Sequence, residues 1–224
     1  MTINAQDAGY HHNVILNLIA SETENPETLG DIENLLEYQQ ITYDYIYQNS
    51  DDLPEVFTFS SNDLSVLFDQ FDSNSLVDSL YTHNLISFAV KNKLGEIFDI
   101  ATGSTTLVSA NSSYNNLIAA VSVDLSLSTD EKNLIIGTAS VASSTLEFWS
   151  AAYSNSSSPY YSMAQFNPED QPEVVMLFNW KKFGIDCLGF AAGYIVGSTL
   201  STPAGGIAAG VAVGGWASSC YKDS

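Results

Sequence analysis

The sequence contains no arginine and little lysine: six Lys against 26 Asp or Glu give a net charge of −20 over 224 residues. Phosphate contacts with DNA and RNA are made largely by arginine and lysine, so this composition excludes a nucleic-acid-binding protein. Anionic lipid headgroups would also repel so acidic a chain, which argues against simple peripheral attachment to a membrane. A partner with a basic surface would be attracted instead.

Catalytic motifs are also lacking. No Gly-x-Ser-x-Gly elbow occurs, and neither cysteine lies beside a histidine in the sequence. A zinc site needs three or four convergent ligands, whereas His11 and His12 would point about 100° apart on a helix and His83 is distant. We therefore expect no catalytic residue, metal or cofactor, and an enzyme that uses His11, His12 or a carboxylate is the minor alternative.

The N-terminus lacks the features of a secretory signal. Met1-Thr2-Ile3-Asn4 has neither a basic region nor an apolar core. An exported protein with this start would need a leaderless route or a dedicated apparatus. The alternative location is the cytoplasm.

The charge is unevenly distributed along the chain. Residues 1–173 hold 24 Asp or Glu against three Lys, which leaves −21, whereas residues 174–224 hold two acidic residues against three Lys, which leaves +1. Hydrophobic residues make up 45% and aromatic residues 12%, so the chain should fold. We expect an acidic helical bundle over residues 1–154, a Ser/Pro linker over 155–173 and an apolar segment over 174–224.

Helical spacing of apolar residues dominates the acidic part. The pattern predicts helices over residues 7–21, 28–50, 61–71, 76–98, 104–127 and 129–153, with a short extended piece at 56–59 and a possible end or bend at Gly95. Ser128-Thr129-Asp130-Glu131 is a strong helix-start signal. The predicted fold class is all-α.

Glycines recur every four residues in the apolar segment. Two ladders, separated by Ser201-Thr202-Pro203, consist of Gly189, Gly193 and Gly197 and of Gly206, Gly210 and Gly214. This spacing places each trio on one helix face, where another backbone can approach closely. The pattern predicts a hairpin of two glycine-faced helices, which could also self-associate through these faces.

The ends of the hairpin carry residues typical of a membrane interface. They are Trp180, Lys181 and Lys182 at one end and Trp216, Tyr221 and Lys222 at the other. Both sets would lie on the same side of a bilayer, as expected of an inserting element. The alternative is that the two helices form the close-packed centre of a bundle, and both arrangements could belong to one protein in two states.

The cysteines, Cys187 and Cys220, lie one in each arm of the hairpin. Antiparallel arms would bring these positions near the same end, so a disulfide is conceivable. Two buried thiols that act as small apolar side chains are the commoner outcome for such positions.

The two ends of the chain together resemble a known group of sequences. The opening segment, with Gly9, His12, Asn13 and Leu16, is similar to the Gly-x-x-His-Asn-x-x-Leu segment of a loose group of uncharacterised Bacteroidetes proteins. The closing glycine ladders are similar to bacteriocin-like, glycine-zipper tails. The resemblance implies an interbacterial or exported protein whose tail is the membrane-active part.

Two functions are therefore expected. The first is a non-enzymatic exported toxin or effector whose hairpin interacts with or inserts into a target membrane while the acidic helices keep it in solution. The second is a helical cargo protein or a component of a larger assembly, with the hairpin as its packed core.

Overall fold

The computed structural model describes residues 3–23, 29–51, 73–165, 178–200 and 202–220, and within these ranges the protein is all-α, as predicted. The helices are α1 (Ala8–Glu22), α2 (Leu35–Asn49), α3 (Ser73–Thr82), α4 (Phe88–Gly103), α5 (Leu107–Val123), α6 (Thr129–Ser154), α7 (Tyr161–Ala164), α8 (Trp180–Leu200) and α9 (Pro203–Cys220). Short 3-10 turns, Ala5–Asp7 and Ile32–Asn34, precede α1 and α2.

The C-terminal helices α8 and α9 lie antiparallel at the centre of the fold. Every residue of α9 from Gly205 to Cys220 is buried. Helix α6 packs along α8, whereas α1 and α2 pack against α9, and α4 and α5 cover the outer side of α6. The hairpin is therefore enclosed by the acidic helices.

One cluster of buried apolar side chains runs through the expected bundle and the expected hairpin. Tyr160 and Met163, which fall in the expected Ser/Pro linker, are 1% and 2% exposed and belong to this cluster. The first part of the linker thus forms α7 and contributes to the core, and residues 166–173 lie outside the described ranges. Among the described residues, the expected bundle and the expected hairpin share this one cluster.

Capping side chains explain where α5 and α6 begin. Thr106 and Ser109 form a capping box at the start of α5, and Ser128 and Glu131 form another at the start of α6. Each box satisfies backbone N–H groups that have no partner inside the helix. The start of α6 is where the sequence signal predicted it.

Some predicted helix boundaries differ from the structure. The single helix expected over residues 76–98 is divided into α3 and α4, because Asn84 adopts a left-handed φ of 57° and Ser87 caps a new helix. Gly95 neither ends nor interrupts α4. The second helix begins at Leu35 and not at residue 28, and the expected elements at 56–59 and 61–71 lie outside the described residues.

Candidate functional site

Two features of the described residues have the chemistry of a site: a buried cluster of charged side chains at the centre and a surface groove beside the tip of the hairpin. The central cluster contains Asp186 and Lys182 of α8 and His12 of α1, all with 0% exposure. Charged groups are rarely buried without partners, because removing them from water is costly. Their contacts are described first.

Asp186 connects the hairpin to both α1 and α6. Nε2 of His12 lies 3.1 Å from Oδ1 of Asp186, an ion-pair distance, although the ring N–H is not aligned for a straight hydrogen bond. On the other side, the Thr145 hydroxyl and the indole N–H of Trp149 donate to Oδ2, the latter at 2.7 Å. Three helices thus meet at one carboxylate.

Lys182 lies one turn before Asp186 on α8. Its Nζ donates to the carbonyl oxygen of Ser218 at 2.7 Å and lies 5.1 Å from the centre of the Trp149 ring. The first contact joins the two arms of the hairpin, and the second is a cation–π contact with α6. Lys182 therefore binds inside the protein and is not a surface group.

The environment raises the pKa of His12. Burial opposes the charged imidazolium and is the largest single effect, but the charge and close approach of the Asp186 carboxylate, together with the Asn13 side chain and the Gly214 carbonyl, outweigh it. The folded protein thus favours the charged form of His12. Because the cluster is fully buried, no substrate reaches it in this conformation, and its chemistry is that of a link between helices.

The four residues of the opening segment all contribute to this link. The N–H of Gly9 donates to Oγ of Ser140 at 3.0 Å, and a side chain at Gly9 would overlap the Ser140 carbonyl. Nδ2 of Asn13 donates to the Ser144 carbonyl at 3.0 Å, and the Leu16 carbonyl accepts from the Tyr160 hydroxyl at 2.7 Å. In this structure the segment fixes α1 against α6 and α7.

The two glycine ladders face each other within the chain. A Cβ atom at Gly189 would lie 3.0 Å from Cα of Gly214, one at Gly193 would lie 2.9 Å from Cα of Gly210, and one at Gly197 would lie 3.1 Å from Cα of Gly206. These spacings leave no room for side chains, so the glycines allow the backbones of α8 and α9 to touch. The sequence predicted that the glycine faces could serve for self-association. In the structure the glycine face of α8 packs against that of α9.

The residues expected to anchor the hairpin at a membrane are divided in the structure. Trp180 and Lys181 are partly exposed, Lys182 and Trp216 have 0% exposure, and Tyr221 and Lys222 lie outside the described residues. An interfacial anchor has to reach the surface. Lys182 and Trp216 do not do so in this conformation, because Lys182 binds Ser218 and the Trp216 side chain fills the core.

Cys187 and Cys220 are both free and buried. The register set by the glycine pairs places Cys187 level with Trp216, one helical turn from Cys220, so the arms do not bring the two thiols opposite each other. The disulfide considered above is absent, and burial raises the pKa of Cys220 to about 12. Both residues act as small apolar side chains.

The other histidines do not join the central cluster. Nδ1 of His11 lies 2.6 Å from the Tyr45 hydroxyl, and burial, partly offset by Asp7, lowers its pKa. His83 is exposed at the end of α3 and bonds to Ser79. Among the described residues, no three His, Cys, Asp or Glu side chains converge in a way that could hold a metal ion.

The second feature is a half-open groove of about 500 Å³ at the end of the hairpin, which we call the tip groove. It lies between the α3–α4 turn, the first turn of α6 and the last turns of α8. Its walls include Leu85, Ile86, Val90, Leu134, Tyr194 and Ile195. Asp130 and Glu131 line it from the start of α6.

Comparison with family models, curated proteins and solved structures gave no match to this chain. The resemblance to Bacteroidetes proteins therefore stays a prediction.

None of the helices in the described parts of the chain combines the length and the apolarity required to cross a bilayer.

The sequence contained a signal for the central cluster but not for the tip groove. Asp186 is the one acidic residue of α8 and lies in its apolar stretch, residues 183–197, so a buried partner was to be expected. Nothing in the sequence indicated that His12, 174 residues earlier, supplies that partner. The groove forms from three segments that are distant in sequence, and no spacing rule connects them.

Proposed function

We propose that this chain is a non-enzymatic helical protein, a cargo protein or a component of a larger assembly, that acts by binding and keeps its hairpin as a permanent core. The observation that carries the proposal is the complete burial of α9 from Gly205 to Cys220. A hairpin that functions at a membrane must leave this position, and a structural core must not. The partner would carry a basic surface, because the chain has a net charge of −20.

The central ion cluster supports a permanent core. Release of the hairpin would separate Asp186 from His12, Thr145 and Trp149. Breaking a buried ion pair typically costs about 3–5 kcal/mol, because one charge loses its partner. If the hairpin left as a unit, the glycine contacts between α8 and α9 would remain. If the two helices separated, other contacts would have to replace them.

The experiment that tests the proposal is a matched pair of glycine substitutions. In G193A, the new methyl group would meet the Ala209 carbonyl oxygen at 2.6 Å and Cα of Gly210 at 2.9 Å, so a backbone has to move. We expect the free energy of unfolding in urea to fall by about 1–3 kcal/mol.

The control is G95A on α4, where a Cβ atom has nothing within 4 Å. Because alanine is the better helix former, this variant should unfold at the same urea concentration as the unmodified chain or gain up to about 1 kcal/mol. If G193A were as stable as G95A, the hairpin would not be a close-packed core and the proposal would fail.

A second candidate function follows from a different observation. Helix α9 contains no charged residue over Pro203–Cys220 and is surrounded by acidic helices, an arrangement that suits an apolar element kept from water until it is needed. In this proposal the chain is an exported toxin or effector, carried by a leaderless or dedicated route, whose hairpin contacts a target membrane. The vesicle experiment in the Discussion separates the two candidates.

A further inference from the structure

We propose that the tip groove is a binding site for a small cationic amphiphile, a molecule with an apolar body and one protonated amine. Its volume of about 500 Å³ is within the range of natural ligand sites. The inference goes beyond the proposed function, because it depends neither on an assembly partner nor on whether the hairpin leaves the core. Three observations carry it: the apolar wall, an unbonded hydroxyl and the sign of the charges at the rim.

The apolar wall would receive the body of the ligand. Leu85 is 55% exposed, which leaves an apolar surface open to solvent at the mouth, whereas Ile86, Val90 and Leu134 are buried and form the floor. Water in contact with such a surface is displaced favourably by an alkyl or aryl group. Phe88, 60% exposed, does not line the groove, but the centre of its ring lies 5.9 Å from that of Tyr81, a wall residue.

A polar side chain in the wall lacks a partner. Tyr194 is 2% exposed and lines the groove, and its hydroxyl has no hydrogen-bond partner among the described residues. Burial and the neighbouring Asp130 carboxylate raise the pKa of Tyr194 to about 12, against a smaller opposing effect of Asn133. An unbonded buried hydroxyl is unfavourable, and a ligand that displaces the side chains covering it and offers a donor or acceptor would satisfy it.

The charges at the rim select a cation. Asp130 and Glu131 both line the groove, and the capping box of Ser128 and Glu131 already satisfies backbone N–H groups that would otherwise attract an anion. Lys91 is held in an ion pair with Asp78 at 2.7 Å. Its ammonium also lies 5.1 Å from the centre of the Tyr81 ring, so this ring face is occupied and the ligand cation has to be held by Asp130 and Glu131.

The test uses three probes of equal length and different charge: octylammonium, 1-octanol and octanoate. Each is titrated into the full chain at neutral pH and low salt, with isothermal calorimetry for affinity and methyl NMR signals of the groove for location. We expect octylammonium to bind at least about threefold more tightly than octanol, and octanoate not to bind, as a partly exposed carboxylate pair would give. The difference in affinity between octylammonium and octanol should become smaller at high salt, because salt screens the charges.

Two variants assign the binding to this site. In D130N the advantage of octylammonium over octanol should fall by about twofold or more while octanol binding is unchanged. In Y194F both probes should bind more weakly, because the hydroxyl that they satisfy is gone. D99N, which removes an exposed carboxylate of α4 that does not line the groove, should leave all three affinities unchanged.

The proposal is overturned if octanoate binds as tightly as octylammonium, if D130N and D99N have equal effects, or if the NMR signals that move lie outside the groove. Far-UV circular dichroism and thermal unfolding of each variant show that the fold is retained. Should Y194F unfold, the comparison of D130N with D99N still decides the question. If a basic peptide bound to the chain and none of the three small probes did, the small-molecule site would also be rejected.

Discussion

At the scale of single residues, the centre of the protein is held by charge and not only by apolar packing. Asp186 has 0% exposure and receives contacts from His12, Thr145 and Trp149, which lie on two other helices. Thr145 and Trp149 satisfy lone pairs of Oδ2 that would otherwise be buried without a partner, and His12 lies at ion-pair distance from Oδ1. The cluster therefore fixes the positions of α1 and α6 against the hairpin. Contacts between faces of small residues, which are alike along the helix, would fix these positions less well.

The raised pKa of His12 predicts a pH dependence of stability. In the unfolded chain this group titrates near 6.5, and in the folded chain above that value. The charged His12 ring therefore makes its full contribution to the free energy of unfolding below about pH 6.5. This contribution is lost as the pH rises through the pKa of His12 in the folded protein. Urea unfolding between pH 5.5 and 9 should show that the free energy of unfolding falls as the pH rises above about 6.5.

The variant H12Q isolates this effect from the general repulsion of an acidic protein. Its free energy of unfolding should be lower than that of the unmodified chain at pH 6, and the gap should narrow toward pH 9. His11, whose pKa is lowered, has a contribution of opposite sign and stays in both proteins. If the difference in the free energy of unfolding between H12Q and the unmodified chain did not change with pH, the pKa of His12 would not be raised in the folded protein.

At the scale of the elements, α6 is the helix that connects the shell to the hairpin. It spans Thr129–Ser154, and small residues allow its neighbours to approach: a side chain at Gly137 would overlap the Phe190 ring of α8, and Ser140 bonds to Gly9. The same helix supplies Thr145 and Trp149 to the central cluster and Asp130 and Glu131 to the tip groove. Its position determines both candidate sites.

The start of α6 depends on one cap. Oγ of Ser128 accepts from the N–H of Glu131 at 3.2 Å, and the Glu131 carboxylate accepts from the N–H of Ser128 at 2.8 Å. S128A should lower the free energy of unfolding by about 0.5–2 kcal/mol. S112A, at an exposed position in α5, should change it by less than about 0.5 kcal/mol. Equal effects of the two substitutions would show that the cap does not stabilise the helix.

At the scale of the whole molecule, the most apolar pair of helices lies inside and the acidic helices lie outside. Ordinary burial explains this arrangement, because the two glycine-faced helices expose little polar surface of their own and gain most by mutual contact. The same arrangement would also keep a membrane-active hairpin from aggregating. The two proposals differ only in whether the hairpin ever leaves.

A vesicle experiment distinguishes them. We expect the full chain to remain in the supernatant when it is sedimented with zwitterionic lipid vesicles at neutral pH, and not to release a trapped dye, because the central cluster holds the hairpin in place. Pelleting with the vesicles and dye release would contradict a permanent core and support the membrane-active protein. D186A, which removes one partner of the buried cluster, shows whether loosening the hairpin alone creates lipid binding.

The sequence by itself determined the all-α class, the hairpin and the start of α6. Apolar spacing of three and four residues, glycines at four-residue spacing and the capping signal at Ser128 are local patterns, and local patterns report local structure. The break between α3 and α4 was missed because Asn84 adopts a left-handed φ without any glycine or proline to indicate it.

Only the tertiary structure decided what surrounds the hairpin and which distant residues meet. The pairing of His12 with Asp186, the burial of Lys182 and Trp216, the separation of the two cysteines and the tip groove all depend on how the helices pack. A glycine-faced apolar helix has the same pattern whether it packs against a protein or in a lipid bilayer. The sequence therefore left both environments open, and the tertiary contacts place the hairpin inside the acidic helices.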